Sequence, residues 1–298
     1  MGAPQLRPRL LNCGHVLIFA LPIVMFPVGG ASQESAPPKI DKNGYNLFNP
    51  TPRTALREME ALYRNPYTVD AGHAQIETYV VGYAYERQTA TGADGRTETW
   101  RVAPTTLKLG LLNSVDIELE TSPYTRVRTV DRLTGTTSTR SGFGDLIPRA
   151  KFNLWGNDGG PSAAALLPFI KIPTSQDGLG NNSVEAGLGL PIGLQLPFQW
   201  WLQLSPELSL LRNVDDGGYS PGFSNTIYLW HAIAGKLSGY IEFSSWVSFE
   251  RTSGWIGTID FGMTYMIGRD IQLDAGVLIG VTRAAPVANP FLGVSARF

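Results

Sequence analysis

The sequence of 298 residues has little charge, one cysteine and no apolar run long enough to form a membrane helix. Charged residues make up 16% of the chain, below the roughly 25% that is usual in soluble domains. The net charge of −1 argues against a nucleic-acid partner. The single cysteine, Cys13, excludes a disulfide framework, and the lack of thiols after it suits an oxidising compartment. This composition fits strands in which apolar and polar residues alternate.

The first 31 residues have the layout of a secretory signal peptide. Arg7 and Arg9 form a basic region, and an apolar stretch follows at Val16–Val28. Small residues then lead to a cleavage site after Ala31. The apolar stretch is shorter than the roughly 20 residues that a membrane helix needs. Cys13 precedes this stretch, which argues against an acylated lipoprotein. We therefore predict residues 1–31 to be a signal peptide and the protein to be exported.

Residues 32–72 differ in composition from the rest of the chain, because prolines interrupt a polar stretch that cannot pair as strands. Thr54 is a suitable N-cap for a short helix at Ala55–Tyr63. The sequence predicts a short irregular or helical segment here. Two placements remain open: a periplasmic leader outside the following domain, or a plug that enters it.

From residue 73 to the C-terminus the hydrophobic period is two, which indicates β-strands. In Ser183–Leu196 the apolar residues fall on one face, and glycines, a proline and polar residues fall on the other. Each such segment is about ten residues long, the length of a tilted strand that crosses a bilayer. The fold class is therefore an all-β, transmembrane antiparallel β-barrel over residues 73–298.

The alternating segments number about twelve. They are 74–86, 99–111, 115–128, 142–155, 162–173, 183–196, 201–211, 223–231, 238–250, 255–267, 271–282 and 290–298. Short and long connections alternate, except at 251–254, where a short connection replaces a long one. This asymmetry is typical of outer-membrane barrels with both termini in the periplasm.

Aromatic residues collect near the predicted strand ends, as expected for belts at the headgroup level. Those beside predicted periplasmic turns are Trp155, Phe198, Trp200, Trp201 and Trp230, and those beside predicted outer loops are Trp100 and Trp255. The last strand ends on Phe298. This ending resembles the C-terminal strand of many outer-membrane barrels, where it is the signal read by the insertion machinery.

Four stretches resemble strand motifs of one family, the outer-membrane β-barrels labelled "putative transporter" or meta-pathway phenol-degradation proteins. They are Tyr67–Glu77, Gly142–Asp145, Leu166–Thr174 and Gly187–Pro191. The similarity spans about residues 67–298. It implies a barrel in the bacterial outer membrane, surrounded by lipid, that passes aromatic or other apolar compounds.

The polar face of the predicted strands carries eight acids and four bases toward the lumen. They are Glu118, Glu120, Asp145, Glu185, Glu207, Glu242, Asp260 and Asp274 with Arg149, Lys151, Lys171 and Arg297. We expect Glu118 and Glu120 to face Lys151 and Arg149 on the next antiparallel strand, because buried charges need partners. This ladder is either structural or a constriction that weakly favours cations.

Prolines near the middle of four successive predicted strands are the strongest objection to a closed barrel, because each removes a ladder donor. These residues are Pro148, Pro168, Pro191 and Pro206. One resolution is a band of β-bulges. Beside the small face formed by Gly187, Gly189 and Gly193, such a band is a candidate lateral opening to the bilayer. Simple curvature of the wall is the alternative.

Enzymatic and metal functions have little support in the sequence. His73 and His231 are the only histidines after the signal peptide, and no serine lies in a nucleophile-elbow context. Two isolated histidines do not make a metal site, and no cofactor is indicated. The acidic stretch 215–218, two aspartates followed by two glycines, is typical of a turn. A calcium site is the alternative.

The sequence thus predicts a passive outer-membrane channel for small, apolar or aromatic compounds. The alternative is a closed structural or adhesive barrel whose outer loops bind a partner and whose lumen conducts nothing. A soluble periplasmic β-sandwich is a third possibility, but it leaves the aromatic belts unexplained. The channel and the closed barrel differ in how far side chains fill the lumen, and the glycines of the sixth strand favour an open lumen.

Overall fold

A computed structural model describes residues 44–52, 65–88, 94–213, 216–250 and 254–298. Within these ranges, no helix has both the length and the apolar character to cross a membrane. The short helix predicted at Ala55–Tyr63 and the signal peptide predicted at residues 1–31 lie outside the described residues.

The described residues form twelve antiparallel strands, which confirms the predicted strand count. Five of the strands are interrupted and consist of two segments. In chain order the strands are β1 (Ala74–Gln88), β2 (Gly95–Val102 and Thr105–Leu112), β3 (Val115–Thr121 and Tyr124–Asp131), β4 (Thr137–Gly142 and Ile147–Trp155), β5 (Ser162–Lys171), β6 (Glu185–Gly189 and Ile192–Gln195), β7 (Trp201–Leu204 and Glu207–Arg212), β8 (Tyr219–Ala234), β9 (Leu237–Ser248), β10 (Ile256–Ile267), β11 (Ile271–Gly280) and β12 (Ala288–Arg297).

The first and last strands pair with each other, so the sheet closes into a barrel. Gln75 lies opposite Arg297 and Gly82 lies opposite Phe291, with a bulge between these two positions. The closure continues beyond the strand ends, where Ala74 and Phe298 exchange two backbone hydrogen bonds of 3.0 and 2.8 Å. A closed sheet has no edge with unpaired backbone groups, as a hydrocarbon surrounding requires.

The distribution of polarity across the wall is the reverse of that in a soluble protein. Leu188 and Leu208 on the outer surface are 47% and 61% exposed, whereas Glu242 and Asp260 on the inner surface are 1% and 0% exposed. The residue alternation that predicted the strands therefore separates a lipid-facing apolar surface from a polar interior.

The two ends of the barrel differ in the length of their connections. The short-turn end carries 113–114, 156–161, 196–200, 235–236 and 268–270, and it also holds Phe298. The long-loop end carries 89–94, 132–136, 172–184, 213–218, 249–255 and 281–287. Short turns face the periplasm in outer-membrane barrels.

Strands β1–β4 extend further at the long-loop end than the sequence predicts. β2 begins at Gly95 rather than residue 99, and β4 begins at Thr137 rather than residue 142. The additional residues are mostly polar, and the predicted strands end where polar residues cluster. A strand that leaves the bilayer keeps its backbone pairing without needing an apolar face, which explains the difference.

The four mid-strand prolines are accommodated in two ways. Pro148 and Pro168 lie within continuous segments, whereas Pro191 and Pro206 lie in the interruptions of β6 and β7. The carbonyl of Pro191 accepts a hydrogen bond of 3.0 Å from Ala165, and that of Pro206 accepts one of 2.9 Å from Leu190. Each of these two prolines lacks a donor but still supplies an acceptor, so the wall stays paired across the interruptions.

Two of the tryptophans assigned to the aromatic belt face the interior instead. Trp201 pairs with Trp230, which in turn pairs with Tyr240, and Trp201 and Tyr240 are buried. The Trp201 ring covers Gly193, where an added Cβ would lie 2.1 Å from the ring. Position near a strand end predicts membrane depth but not the face of the strand, and the missing side chain of Gly193 creates the space for the ring.

We predict that Gly193→Ala destabilises the barrel by about 1–3 kcal/mol, because the new methyl group overpacks the Trp201 ring. The matched control is Gly82→Ala in β1, where an added Cβ meets nothing within 4 Å. Urea unfolding in detergent micelles, followed by tryptophan fluorescence, measures both variants. Equal stability of the two variants would contradict the packing assigned to Trp201.

Candidate functional site: the barrel lumen

Residues 65–72, here called the inner segment, lie inside the short-turn end of the barrel. Thr68, Asp70 and Ala71 are at most 1% exposed. The Thr68 amide donates to Asn157 Oδ1 at 3.1 Å, and the Val69 amide donates to Asp116 Oδ2 at 2.7 Å. An irregular segment without strand partners thus satisfies its backbone through side chains of the barrel, as buried backbone groups must.

The inner segment contacts strands on several sides of the barrel. Lys151 Nζ of β4 donates to the Tyr67 carbonyl at 3.2 Å, and the Tyr67 ring stacks on Trp201 of β7 with centroids 5.9 Å apart. Asp70 pairs with Arg297 of β12 at 3.8 Å. Residues 65–72 therefore lie against the inner surface of the wall. Residues 32–43 and 53–64 lie outside the described residues.

The charged ladder lies immediately next to the inner segment. Lys151 Nζ is 3.0 Å from Glu118 Oε1, and Arg149 Nη2 is 2.8 Å from Glu120 Oε2. The structure therefore pairs the acidic side chains of β3 with the basic side chains of β4, as the sequence predicts. Lys151 is fully buried and Glu118 nearly so, which makes the pairing energetically necessary.

Three buried charges that the sequence reasoning missed complete this cluster. Lys108 Nζ lies 2.8 Å from Glu77 and 4.0 Å from Glu118, and Asp116 binds the inner segment. Asp116 and Glu118 are two residues apart on one strand and so share a face. The same alternation, applied to every charged residue of β1–β3, would have found Glu77, Lys108 and Asp116.

One ion pair spans the inner faces of two strands of the wall. Arg149 Nη1 of β4 is 3.7 Å from Glu207 Oε2 of β7, and β5 and β6 lie between these strands in the wall. The Arg149 guanidinium also lies 4.5 Å from the centre of the Phe169 ring. Arg149 therefore joins the ladder, β5 and β7 at one point and narrows the passage.

A second charged group lies toward the long-loop end. Lys171 Nζ is 2.9 Å from Glu185 and 3.7 Å from Asp145. The Glu185 carboxylate also accepts hydrogen bonds from the side chain of Asn181 and the backbone amide of Arg212. Asp145 and Glu185, expected in one lumenal ladder, are thus gathered around Lys171 at the base of the outer loops.

Two cavities of about 210 Å³ each lie on either side of the Arg149–Glu207 pair. The wall cavity lies beside the interruptions of β6 and β7; its lining includes Gly189, Pro191, Ser205, Pro206, Glu207, Thr226 and Trp246. The acidic cavity lies against β1–β4, β11 and β12; its lining includes Glu77, Thr105, Glu120, Arg149 and Asp274. Glu207 belongs to the wall cavity and Arg149 to the acidic cavity, so the ion pair separates the two spaces.

The glycine face of β6 is less open than its sequence suggests. Gly187 lies beneath the Phe169 ring, 2.4 Å from an added Cβ, and Gly193 lies beneath Trp201. Only Gly189 has room, since an added Cβ would be 3.5 Å from its nearest neighbour, Leu167. The expectation of open space along β6 is wrong at Gly187 and Gly193, because aromatic rings from the adjacent strands fill the space there.

The two histidines occupy structural positions. His73 Nε2 lies 2.9 Å from the Thr51 carbonyl oxygen, and the His231 ring stacks on Trp200. In the acidic stretch 215–218, Asp216 accepts hydrogen bonds from Gly218 and Asn213, which lower the pKa of its carboxyl. The described residues contain no cluster of three or more metal-ligating side chains, and Asp215 lies outside them.

We predict that Lys151→Met destabilises the protein by about 3–5 kcal/mol, because Glu118 stays buried after losing its closest cation. Arg132→Gln is the control: it breaks an exposed pair with Asp94, and its cost is about 0–1 kcal/mol. Combining Lys151→Met with Glu118→Leu restores part of the loss. Urea unfolding measures all three, and an unchanged Lys151→Met variant would contradict the assigned pairing.

Comparisons with known proteins agree with this architecture. A family model described as "Putative MetA-pathway of phenol degradation" matches residues 64–298. An outer membrane channel from Pseudomonas putida F1 has a TM-score of 0.60 at 14% identity, over 80% of this chain and 100% of that one. The transport unit of the autotransporter AIDA-I from Escherichia coli has a TM-score of 0.51 at 13% identity, over 82% and 95%.

The NanC porin is similar at a TM-score of 0.50 and 9% identity, over 74% of this chain and 98% of that one. A search of curated proteins finds no significant match. At these identities the structural likenesses establish the fold, whereas the family match covers most of the sequence. The chain is a β-barrel of the bacterial outer membrane and belongs to the family described as "Putative MetA-pathway of phenol degradation".

Proposed function

We propose that this barrel is a passive channel, rather than an enzyme, for small apolar or aromatic compounds. The observation that carries the proposal is the wall cavity, a space of about 210 Å³ beside the interruptions of β6 and β7. The family description and the likeness to an outer membrane channel from Pseudomonas putida F1 support the same function.

The straight route along the barrel axis is unfavourable for an apolar solute, although it does not exclude water and small cations. The inner segment occupies part of the short-turn end, and the buried charges of the ladder and the Arg149–Glu207 pair project into the lumen. An apolar solute that passes this pair loses its contacts with the wall and meets buried charges, which is unfavourable. These two features support a route that leaves the axis before it reaches the ladder.

The wall cavity offers such a route. Pro191 and Pro206 cannot donate a ladder hydrogen bond, so β6 and β7 are held by fewer bonds at this height. Leu188 and Leu208 lie close by on the lipid-facing surface. We propose that a solute enters at the long-loop end, occupies the wall cavity and leaves between β6 and β7 into the bilayer.

The lining of the wall cavity suits neutral, compact solutes. Prolines and Trp246 supply apolar contacts, serine and threonine hydroxyls supply a few polar ones, and Glu207 disfavours anions. The volume is below the roughly 300–1,000 Å³ of pockets for drug-sized ligands. A molecule of one or two rings is the size of solute that we propose.

The alternative is a closed structural or adhesive barrel. The inner segment and the fully buried Lys151 favour it, because both fill the lumen. In that case the charged ladder is only structural and the outer loops bind a partner. The likeness to an autotransporter transport unit shows that the fold alone does not choose between these functions.

The first test is single-channel recording of the refolded protein, residues 32–298, in a planar bilayer. We expect small discrete steps with a mild cation preference, because the lumenal acids outnumber the bases. A silent but folded protein that still takes up a one-ring hydrocarbon into vesicles would support the lateral route alone. Absence of both conductance and uptake would overturn the channel and favour the closed barrel.

We predict that Gly189→Leu reduces uptake of a one-ring hydrocarbon to the level of vesicles without protein, since the new side chain fills the wall cavity. The backbone has room for its Cβ, so folding is retained. Gly82→Leu, at an open position in β1, is the matched control and leaves uptake unchanged. Undiminished uptake by Gly189→Leu would remove the wall cavity from the pathway.

A further inference from the structure

The outer parts of β1, β2 and β3 present a continuous surface on the outside of the barrel. Trp100 lies opposite Tyr83 on one neighbouring strand and Arg126 on the other, so the three side chains share a face. Trp100 is 45% exposed, whereas Ala84 and Thr99 on the opposite face are buried. The Trp100 face therefore points away from the lumen.

The side chains of this surface, here called the outer basic face, change in character from one row to the next. From the barrel outward, the rows are Val81, Val102 and Tyr124; then Tyr83, Trp100 and Arg126; then Tyr85, Glu98 and Arg128; and finally Arg87, Arg96 and Val130. Successive rows are about 7 Å apart, because each step is two residues of a strand. The order is apolar, aromatic and then basic, which is also the order of hydrocarbon, interface and phosphate in a membrane leaflet.

The outer basic face has more positive charge than its own carboxylate neutralises. It carries four arginines and Glu98, whose carboxylate lies 3.4 Å from Arg96 and 3.5 Å from Arg128. Arg87 and Arg96 lie directly opposite each other. Like charges in this position are destabilising unless an anion lies between or above them. The arrangement thus has the chemistry of an anion site on a membrane-facing surface.

We propose that the outer basic face binds the phosphate groups of the phosphorylated glycolipid in the outer leaflet. Guanidinium groups form paired hydrogen bonds to phosphate oxygens, which suits Arg126 and Arg128. The sugar rings lie against Trp100 and Tyr83, and the acyl chains follow the valines of the first row. This binding does not depend on whether the lumen conducts.

The test is native mass spectrometry of the purified protein in detergent with two probes, diphosphorylated lipid A and the same lipid without its phosphates. We expect the wild type to retain the first and not the second. The double variant Arg126→Gln/Arg128→Gln weakens retention by about tenfold, since two charge-assisted contacts are lost. The matched control, Arg212→Gln/Arg269→Gln, removes one arginine at the end of β7 and one in the short turn 268–270, neither of them on β1–β3, and leaves retention unchanged.

Several results would overturn the proposal. Equal retention of the dephosphorylated lipid, or of lipid A by the Arg126/Arg128 variant, removes the phosphate contact. Equal retention of phosphatidylglycerol assigns the face to anionic lipid in general, and displacement by an equal concentration of inorganic phosphate assigns it to a free anion. The comparison of lipids uses wild-type protein, so it decides the question even where a variant fails to fold.

Discussion

Backbone hydrogen bonding in the absence of water is the constraint on which this structure depends. Hydrocarbon offers no partner for an amide or carbonyl group, so a sheet that crosses it must close on itself. The pairing of β1 with β12 provides the closure, and the exchange between Ala74 and Phe298 completes it. The same constraint explains how prolines are tolerated: Pro191 and Pro206 still offer carbonyls to Ala165 and Leu190.

Closure also decides where charge is placed. Lipid covers the outer surface, so the charged side chains of the ladder point inward and find their partners there. Arg149 makes three such contacts, because its planar guanidinium reaches Glu120, Glu207 and the Phe169 ring at once. A lysine at this position would present a single point charge and lose that geometry.

The sequence predicts the fold well because lipid imposes a strict period of two on the outer surface. Twelve strands and a polar interior follow from that period. The prediction weakens where lipid is absent: the outer extensions of β1–β4 were cut short, and Trp201 was assigned to the wrong face. Packing of a ring over Gly193 depends on neighbouring strands, which a reading along one strand does not include.

The position of residues 65–72 had no comparable pattern in the sequence. Their backbone amides donate to side chains of Asn113, Asp116 and Asn157, which lie more than 40 residues away along the chain. No local period encodes such contacts. The charged ladder is partly predictable from the sequence. Alternation predicts which residues face inward, whereas the register of the strands decides which of them meet. Glu118 and Lys151 followed from adjacent strands, whereas the contact between Arg149 and Glu207 did not.

The contact between Asp70 and Arg297 has a consequence for the order of assembly. Arg297 is the penultimate residue, and it reaches its place only when β12 has paired with β1. The inner segment, although it is made before the first strand, therefore completes its contacts after the last strand is in position. Closure of a sheet through its two ends is a slow, non-local step. The contacts of the inner segment with Asp116, Lys151 and Asn157 need only β3, β4 and the turn after β4, whereas its pair with Arg297 forms only when the sheet closes.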